Sequence, residues 1–403
     1  MPDYDAFLLV SFGGPEGPDD VMPFLRNVTR GRGIPPERLE AVAEHYYAAG
    51  GMSPINLQCR DLITALRTDF AGAGLDLPIY WGNRNWDPYL TGTVAAMAAD
   101  GVRSALAFAT SAYSSFSSCR QYLDDIDRAR EQAGPGAPRL DKIRRYFNHP
   151  GFVEPFAEHA RAALATLPAD VRDGAHLVFT AHSVPLAMAA HSGPPGNGAP
   201  GPGGRYVAEL TEAASLIAER ADGGAHPWDL VYQSRSGPPS QPWLEPDILD
   251  HLGDLAKAGA LAAVIIPVGF VSDHMEVRHD LDTEAAETAA ALGLPVARAA
   301  TPWYHPQFRE MIIDLVRERL APADTPRAAL GRLGPATDVC PPGCCAVPRP
   351  GGAQAGGTRP GGTAPRPGGT APQPRLGGTV PRPGGTAPRP GGTAPRLRGT
   401  GAP

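Results

Sequence analysis

Lysine is nearly absent from this 403-residue chain: only Lys142 and Lys257 occur, and arginine supplies the rest of the 36 basic residues. No apolar run approaches the ~18 residues that a membrane span requires. The N-terminal stretch MPDYDAFLLVSFGG has neither a basic region nor a long apolar core, so no secretory signal is expected there and a cytoplasmic protein is. In that compartment the five cysteines are expected to be thiols or metal ligands rather than disulfides. From residue 348 onward acidic residues are absent and apolar ones scarce, and the chain repeats degenerate GGTAPRP units. Such a composition cannot offset its ordering entropy, so residues 348–403 are expected to be a disordered tail. Glycine does not fall at every third position, which excludes a collagen helix. This tail holds eight of the 36 basic residues and none of the 42 acidic ones, leaving 28 basic against 42 acidic side chains in the body, a net −14 against −6 for the whole chain. An acidic body argues against nucleic acid as a partner.

What the chain does have is a stretch, residues 264–284, around which the rest is organised. Residues 264–268 form an apolar run of the kind a strand buried on both faces needs. Gly269 breaks it, and Ser272 and Asp273 then offer oxygens to cap a helix. On that helix Glu276, Asp280 and Glu284 fall at i, i+4 and i+8, so three carboxylates stack on one face. Like charges so spaced repel by roughly 0.2–0.5 kcal/mol per pair, and a bound cation would relieve them. The same residues also read as a capping box of Asp273 with Glu276 followed by a solvated acidic face. Position favours the cation, because open α/β sheets place ligands where a strand's carboxyl end meets a helix.

The remaining apolar runs, residues 7–12, 79–82, 105–110, 177–180, 229–233 and 295–299, read as strands. Helices are expected at 18–27, at 38–49, after Ser53-Pro54, where Ser53 either caps the helix or meets a ligand, and at 308–320. This alternation predicts an α/β fold with a parallel, doubly wound sheet, and the restart near residues 146–151 predicts a second domain. Loops are expected at 111–119 and 193–204. The loop Thr29-Arg30-Gly31-Arg32 suits carboxylate or phosphate groups of a ligand, or is simply solvated. His182, flanked by small residues and proline at a strand end, is either a base or ligand or a buried structural histidine.

The segments LLVSFGGP, YYAAGGMSPIN, FTAHSVP, VYQSRSGPPSQPWLEP and VGFVSDHMEVRHDLD, in this order within roughly residues 5–320, resemble the ferrochelatase family. The resemblance implies two Rossmann-like domains with a porphyrin cleft between them: residues 1–147, closed by helix 308–320, and residues 148–306. Residues 321–347 form a cysteine-bearing extension. It also implies insertion of Fe²⁺ into a porphyrin, within haem biosynthesis and beside other enzymes of that route. The residues fit this chemistry on their own terms. Two pyrrole protons must leave the ring, and imidazole with carboxylate can accept them and also bind Fe²⁺. His182 and Glu276 are the candidate pair, and Asp280 and Glu284 extend a carboxylate track. Arg30, Ser53 and Tyr122 stand where coproporphyrin-type members place propionate contacts, which favours coproporphyrin III as substrate over protoporphyrin IX. Phe12 stands in the porphyrin site where several such members have a metal-reaching tyrosine, and phenylalanine cannot ligate.

Cys119, Cys340, Cys344 and Cys345 resemble the branch of the family that carries a [2Fe–2S] cluster, and this reading is favoured over four cysteines with no shared role. Cys59, among apolar helix neighbours, is expected to be a buried thiol. Two rival functions stand. A chelatase for another ring or metal, such as cobalt, belongs to shorter relatives without a terminal cysteine cluster. A porphyrin or haem carrier would not need an acidic ladder beside His182.

Overall fold

The apolar runs become eight parallel strands in two sheets of a computed structural model that describes residues 4–31, 33–195, 203–237, 240–321 and 325–346. In the first sheet, β1 (Ala6–Ser11) and β3 (Ser104–Ala109) are buried along their whole length. They are flanked by β2 (Ile79–Asn83) and β4 (Arg139–Lys142), in the order β2-β1-β3-β4. In the second sheet, β5 (Ala175–His182) and β7 (Ala262–Ile266) are central, β6 (Trp228–Gln233) and β8 (Val296–Arg298) are the edges, and the order is β6-β5-β7-β8. Leu8 pairs with Tyr80 and Ala107, and Phe179 with Leu230 and Ile266. β4 was not expected. Its sequence, RLDK, has no apolar run, and as a charged edge strand it needs none.

Each sheet reverses direction between its two central strands, β1 and β3 or β5 and β7, and such reversals open a crevice at the strands' carboxyl ends. One hydrophobic core spans both sheets: Phe7 and Phe108 of the first and Leu177, Phe179 and Val264 of the second belong to it, joined by Tyr146, Phe147, Phe152 and Phe156. Both sheets accordingly lie in a single compact unit. Helix Pro306–Leu320 packs against helix Ile55–Gly72 and helix Pro150–Thr166, so it bridges the halves as well as closing the first. Trp303 Nε1 donates to the Gln58 carbonyl at 2.7 Å just before it. Gly151 faces it so closely that a Cβ there would lie 2.4 Å from the Gln307 carbonyl oxygen. Beyond that helix, residues 325–346 run without regular structure over the body, held by Asn148 Nδ2 to the Leu330 and Gly334 carbonyls at 3.0 and 2.9 Å. The tail from residue 348, Arg32 and residues 196–202 of the expected loop lie outside the described residues. No helix among the described residues is long and apolar enough to cross a membrane.

His149 caps helix Pro150–Thr166, its Nδ1 accepting from the Gly151 N–H at 3.1 Å. Burial, aided by the Arg144 charge, pushes its pKa down from 6.5 to about 4. The stability this neutral imidazole contributes is complete above pH 6.5 and is lost as pH falls through about 4. Urea unfolding is therefore expected to show a loss of about 2–3 kcal/mol between pH 7 and pH 4 from this residue. His149→Asn, which keeps a capping oxygen, should lack that component. An unchanged pH dependence in the variant would clear His149 of the effect.

Candidate active site

The strand reversal of the second sheet brings the end of β5 beside the chain that leaves β7. His182 Nε2 lies 3.7 Å from Glu276 Oε2, with 34% and 49% of the two side chains open to solvent, so a ligand can reach both. His182 Nδ1 lies 2.5 Å from the Ser183 carbonyl oxygen. A carbonyl only accepts, so Nδ1 carries a proton, and Nε2 is the ring atom that faces the carboxylate. Tyr206 donates to the His182 carbonyl at 3.0 Å and fixes the strand end. Gly269 has to be glycine: a Cβ there would sit 2.7 Å from Ala181 Cα.

The acidic ladder is present but wound differently from the expected α-helix. Glu276 lies in the short turn Met275–Val277, a π-helix covers Arg278–Ala285, and helix Ala286–Leu292 follows. Single π segments inside helices are rare and concentrate at functional sites. Ser272 and Asp273 do not cap this helix. The cap residue is an extended His274 with no side-chain cap bond, and Asp273 instead pairs with Arg298 at 3.3 Å. That removes the capping-box reading. Similarly, Ser53 does not cap helix Ile55–Gly72, whose cap residue is Pro54.

Asp280 accepts from Ser234 Oγ and from Gln233 Nε2, the latter at 3.3 Å. Burial pushes its carboxyl up to about 6, against the lowering effect of the Ser234 bond, with the Glu276 and Glu284 charges adding to the rise. Ser234 holds a left-handed φ of 61°, a strained conformation for a non-glycine residue that aims its hydroxyl at the ladder. Glu284 Oε1 lies 3.4 Å from His279 Nε2. The His279 ring stacks on His45 of helix Pro36–Ala48, with centroids 3.8 Å apart. The neighbouring Tyr46 hydroxyl is pushed up by burial and then by the charge of Glu276. One end of the ladder thus meets a helix from the first half of the chain. Sequence reasoning missed His45, Tyr46 and His279, because only a contact between distant helices brings them to the ladder.

Phe12, at the end of β1, is 37% exposed. Arg84 lies between it and Tyr122, its guanidinium 5.6 Å from the first ring and 4.8 Å from the second, and is held by Asp125 at 2.5 Å. Tyr122 is buried, with its hydroxyl 3.2 Å from Thr110 Oγ1. Ser53 is buried against Gly14, where a Cβ would come within 2.6 Å of the Ser53 Cβ. Arg30 is exposed, close enough to Tyr89 for its charge to favour the phenolate.

Cys119 is on a π-helix, Phe116–Arg120, inside what was expected to be a loop. It lies in contact with Cys340, which also contacts Cys344, and Cys344 Sγ lies 3.9 Å from Cys345 Sγ. The contacts to Cys119 and Cys344, with Arg145 and Lys142 behind them, hold Cys340 well below an ordinary thiol, while Cys119 and Cys344 are raised. Arg145 Nη1 lies 3.8 Å from Cys340 Sγ, and the Gly193 N–H is 3.2 Å from Cys345 Sγ. Cys59 stands apart, and burial pushes it up to about 12.

Paired parallel sheets with an imidazole–carboxylate pair at the carboxyl end of the second are the frame of an α/β enzyme. The family model described as Ferrochelatase matches residues 4–320, and the chain belongs to that family of metal-inserting lyases. The chain is 57% identical over 366 residues to the coproporphyrin III ferrochelatase of Streptomyces griseus, covering 89% of this chain and 97% of the relative. It is 55% identical to the protein of the same name from Streptomyces coelicolor, covering 89% and 100%. A ferrochelatase of Rhodopirellula baltica is 52% identical, covering 86% and 94%.

Proposed function

We propose that this chain inserts Fe²⁺ into coproporphyrin III to give Fe-coproporphyrin III within haem biosynthesis. The observation that carries the reading is the His182–Glu276 pair at 3.7 Å, with Nδ1 engaged by the Ser183 carbonyl and Nε2 facing the carboxylate. His182 Nε2 accepts a pyrrole proton. Glu276 accepts the other and offers an oxygen to the arriving Fe²⁺, a donor set that suits this ion. Asp280, with a carboxyl at about 6, exchanges protons near neutral pH, and Glu284 continues the track toward the surface. Phe12 offers its exposed face to the macrocycle and no ligand to the metal. Arg30, Ser53 and Tyr122 serve the propionates, and the Arg84 guanidinium lies between the Tyr122 and Phe12 rings. In this reading the enzyme works in the cytoplasm beside other haem-biosynthesis enzymes.

The names of the two Streptomyces relatives favour coproporphyrin III over protoporphyrin IX, and its four propionates give Arg30 a partner. An anaerobic assay run on both porphyrins should give a higher kcat/KM for coproporphyrin III, and Arg30→Ala should raise its KM by about tenfold, the worth of one charge-assisted hydrogen bond. Equal rates on the two rings, or a preference for protoporphyrin IX, would reverse the assignment. Appearance of the metalloporphyrin spectrum separates an enzyme from a carrier.

We also infer that Cys119, Cys340, Cys344 and Cys345 hold a [2Fe–2S] cluster. The fit rests on four thiols in a string of contacts, with Arg145 and Lys142 close enough to favour thiolates. When bound, such a cluster stores one electron and adds its binding energy to the fold.

A further inference from the structure

At the opposite end of β5 from His182 stands a second cluster of donors that the proposed reaction does not use. His176 is six residues before His182 on the same strand, ~20 Å away at the strand rise of ~3.3 Å per residue. The β5–β6 register pairs Val178 with Asp229, so His176 and Asp229 fall on one face of the sheet, the face covered by helix Ile248–Lys257. That helix contributes His251. His176 Nε2 lies 2.8 Å and His251 Nε2 3.4 Å from the same Asp229 oxygen, Oδ2. Among the described residues, these three form the group whose ligand atoms all lie within 4.8 Å of one another.

A simple hydrogen-bonded triad does not account for this arrangement. His176 already occupies Asp229 Oδ2, and His251 Nε2 is buried with no hydrogen-bond partner. A buried ring nitrogen left unpaired costs about 1–3 kcal/mol. Two imidazoles tilted 68° to each other instead bring their Nε2 atoms to one carboxylate oxygen, so an ion that displaces the proton on His176 Nε2 meets three ligand atoms within 4.8 Å of one another. The 3.4 Å separation of His251 Nε2 from Asp229 Oδ2 matches two ligands set tetrahedrally at about 2.1 Å from one ion, and the 2.8 Å His176 hydrogen bond has to open toward that spacing as its proton is displaced. Asp229 is half exposed, which leaves an entry path and room for water as a fourth ligand. Asp254, one helical turn on, is engaged by Lys257 at 2.9 Å and does not complete the set.

We propose that His176, Asp229 and His251 bind a divalent transition-metal ion of the imidazole-preferring class. The site clamps β5, β6 and helix Ile248–Lys257 together and is separate from the path of the substrate iron. Zn²⁺ and Co²⁺ are the probes, applied to porphyrin-free protein after chelator treatment that leaves the cysteine site as purified. Calorimetric titration should find one more equivalent of Zn²⁺ in the wild type than in His251→Ala or Asp229→Asn. In the variants that site's affinity should fall by about 100-fold or more. Saturating Zn²⁺ should raise the melting temperature of the wild type by more than that of the variants. Co²⁺ should give ligand-field bands that the variants lack. Iron insertion should be unchanged in both variants, which shows that they fold and that the lost equivalent is not at His182–Glu276. Asp229→Asn, at a half-exposed side chain, carries the comparison if His251→Ala does not fold. Equal Zn²⁺ stoichiometry and an equal rise in melting temperature in wild type and variants would overturn the proposal.

Discussion

His182→Ala is expected to lower the rate of iron insertion by about 10²–10⁴-fold, the range that a positioned proton acceptor contributes. Porphyrin affinity, measured by fluorescence quenching, should stay close to that of the wild type. The expectation follows from geometry: the Ser183 carbonyl fixes the proton on Nδ1, and Nε2 faces Glu276 at 3.7 Å with solvent access. Alanine removes the acceptor without touching Phe12 or Arg30. Glu276→Gln should act in the same direction, since an amide neither accepts a proton nor binds Fe²⁺ as a carboxylate does. Ser234→Ala tests the support behind the pair, because it frees Asp280 from a strained hydroxyl donor while leaving both reacting groups intact. Near-normal turnover in His182→Ala would remove the imidazole from the mechanism. A matching loss of porphyrin affinity would reassign it to binding.

Cys344→Ser should yield colourless protein, where the wild type purified anaerobically should carry about two extra iron and two sulfide per chain, the content of one four-cysteine cluster. Cys119→Ser, Cys340→Ser and Cys345→Ser should behave alike, because each thiol belongs to the same string of contacts. Cys59→Ser is the control, since its thiol is buried in the hydrophobic core, apart from the other four. The melting temperature should fall along with the colour, because a site that exists only in the folded state adds its binding energy to folding. These variants should nevertheless fold. Residues 325–346 are also held by Asn148, by Glu212 accepting from the Leu333 N–H at 3.0 Å, and by Arg144 Nη2 donating to the Ala328 carbonyl at 2.8 Å. Iron and sulfide retained in Cys344→Ser, or lost equally in Cys59→Ser, would overturn the cluster.

Burial periodicity alone located seven of the eight strands, because a central parallel strand must be apolar on both faces and that pattern is local. The family and the pair His182–Glu276 were legible for a related reason: both residues follow apolar runs, in segments whose order survives in the linear chain. The charged edge strand β4 was not, since nothing about RLDK requires burial. Neither were the π winding of Arg278–Ala285 and the release of Asp273 to Arg298. Those depend on what lies opposite a helix, and local propensity cannot register it. The meeting of His45 with His279, the burial of Tyr122 under Arg84, and the convergence of His176, Asp229 and His251 are decided the same way. Each joins residues from separate elements. The sequence determined which segments are buried and what chemistry they carry. Only the packing of one sheet and its helices against the other determined which of those groups face each other, because side-chain contacts between distant segments follow from tertiary register and not from spacing along the chain.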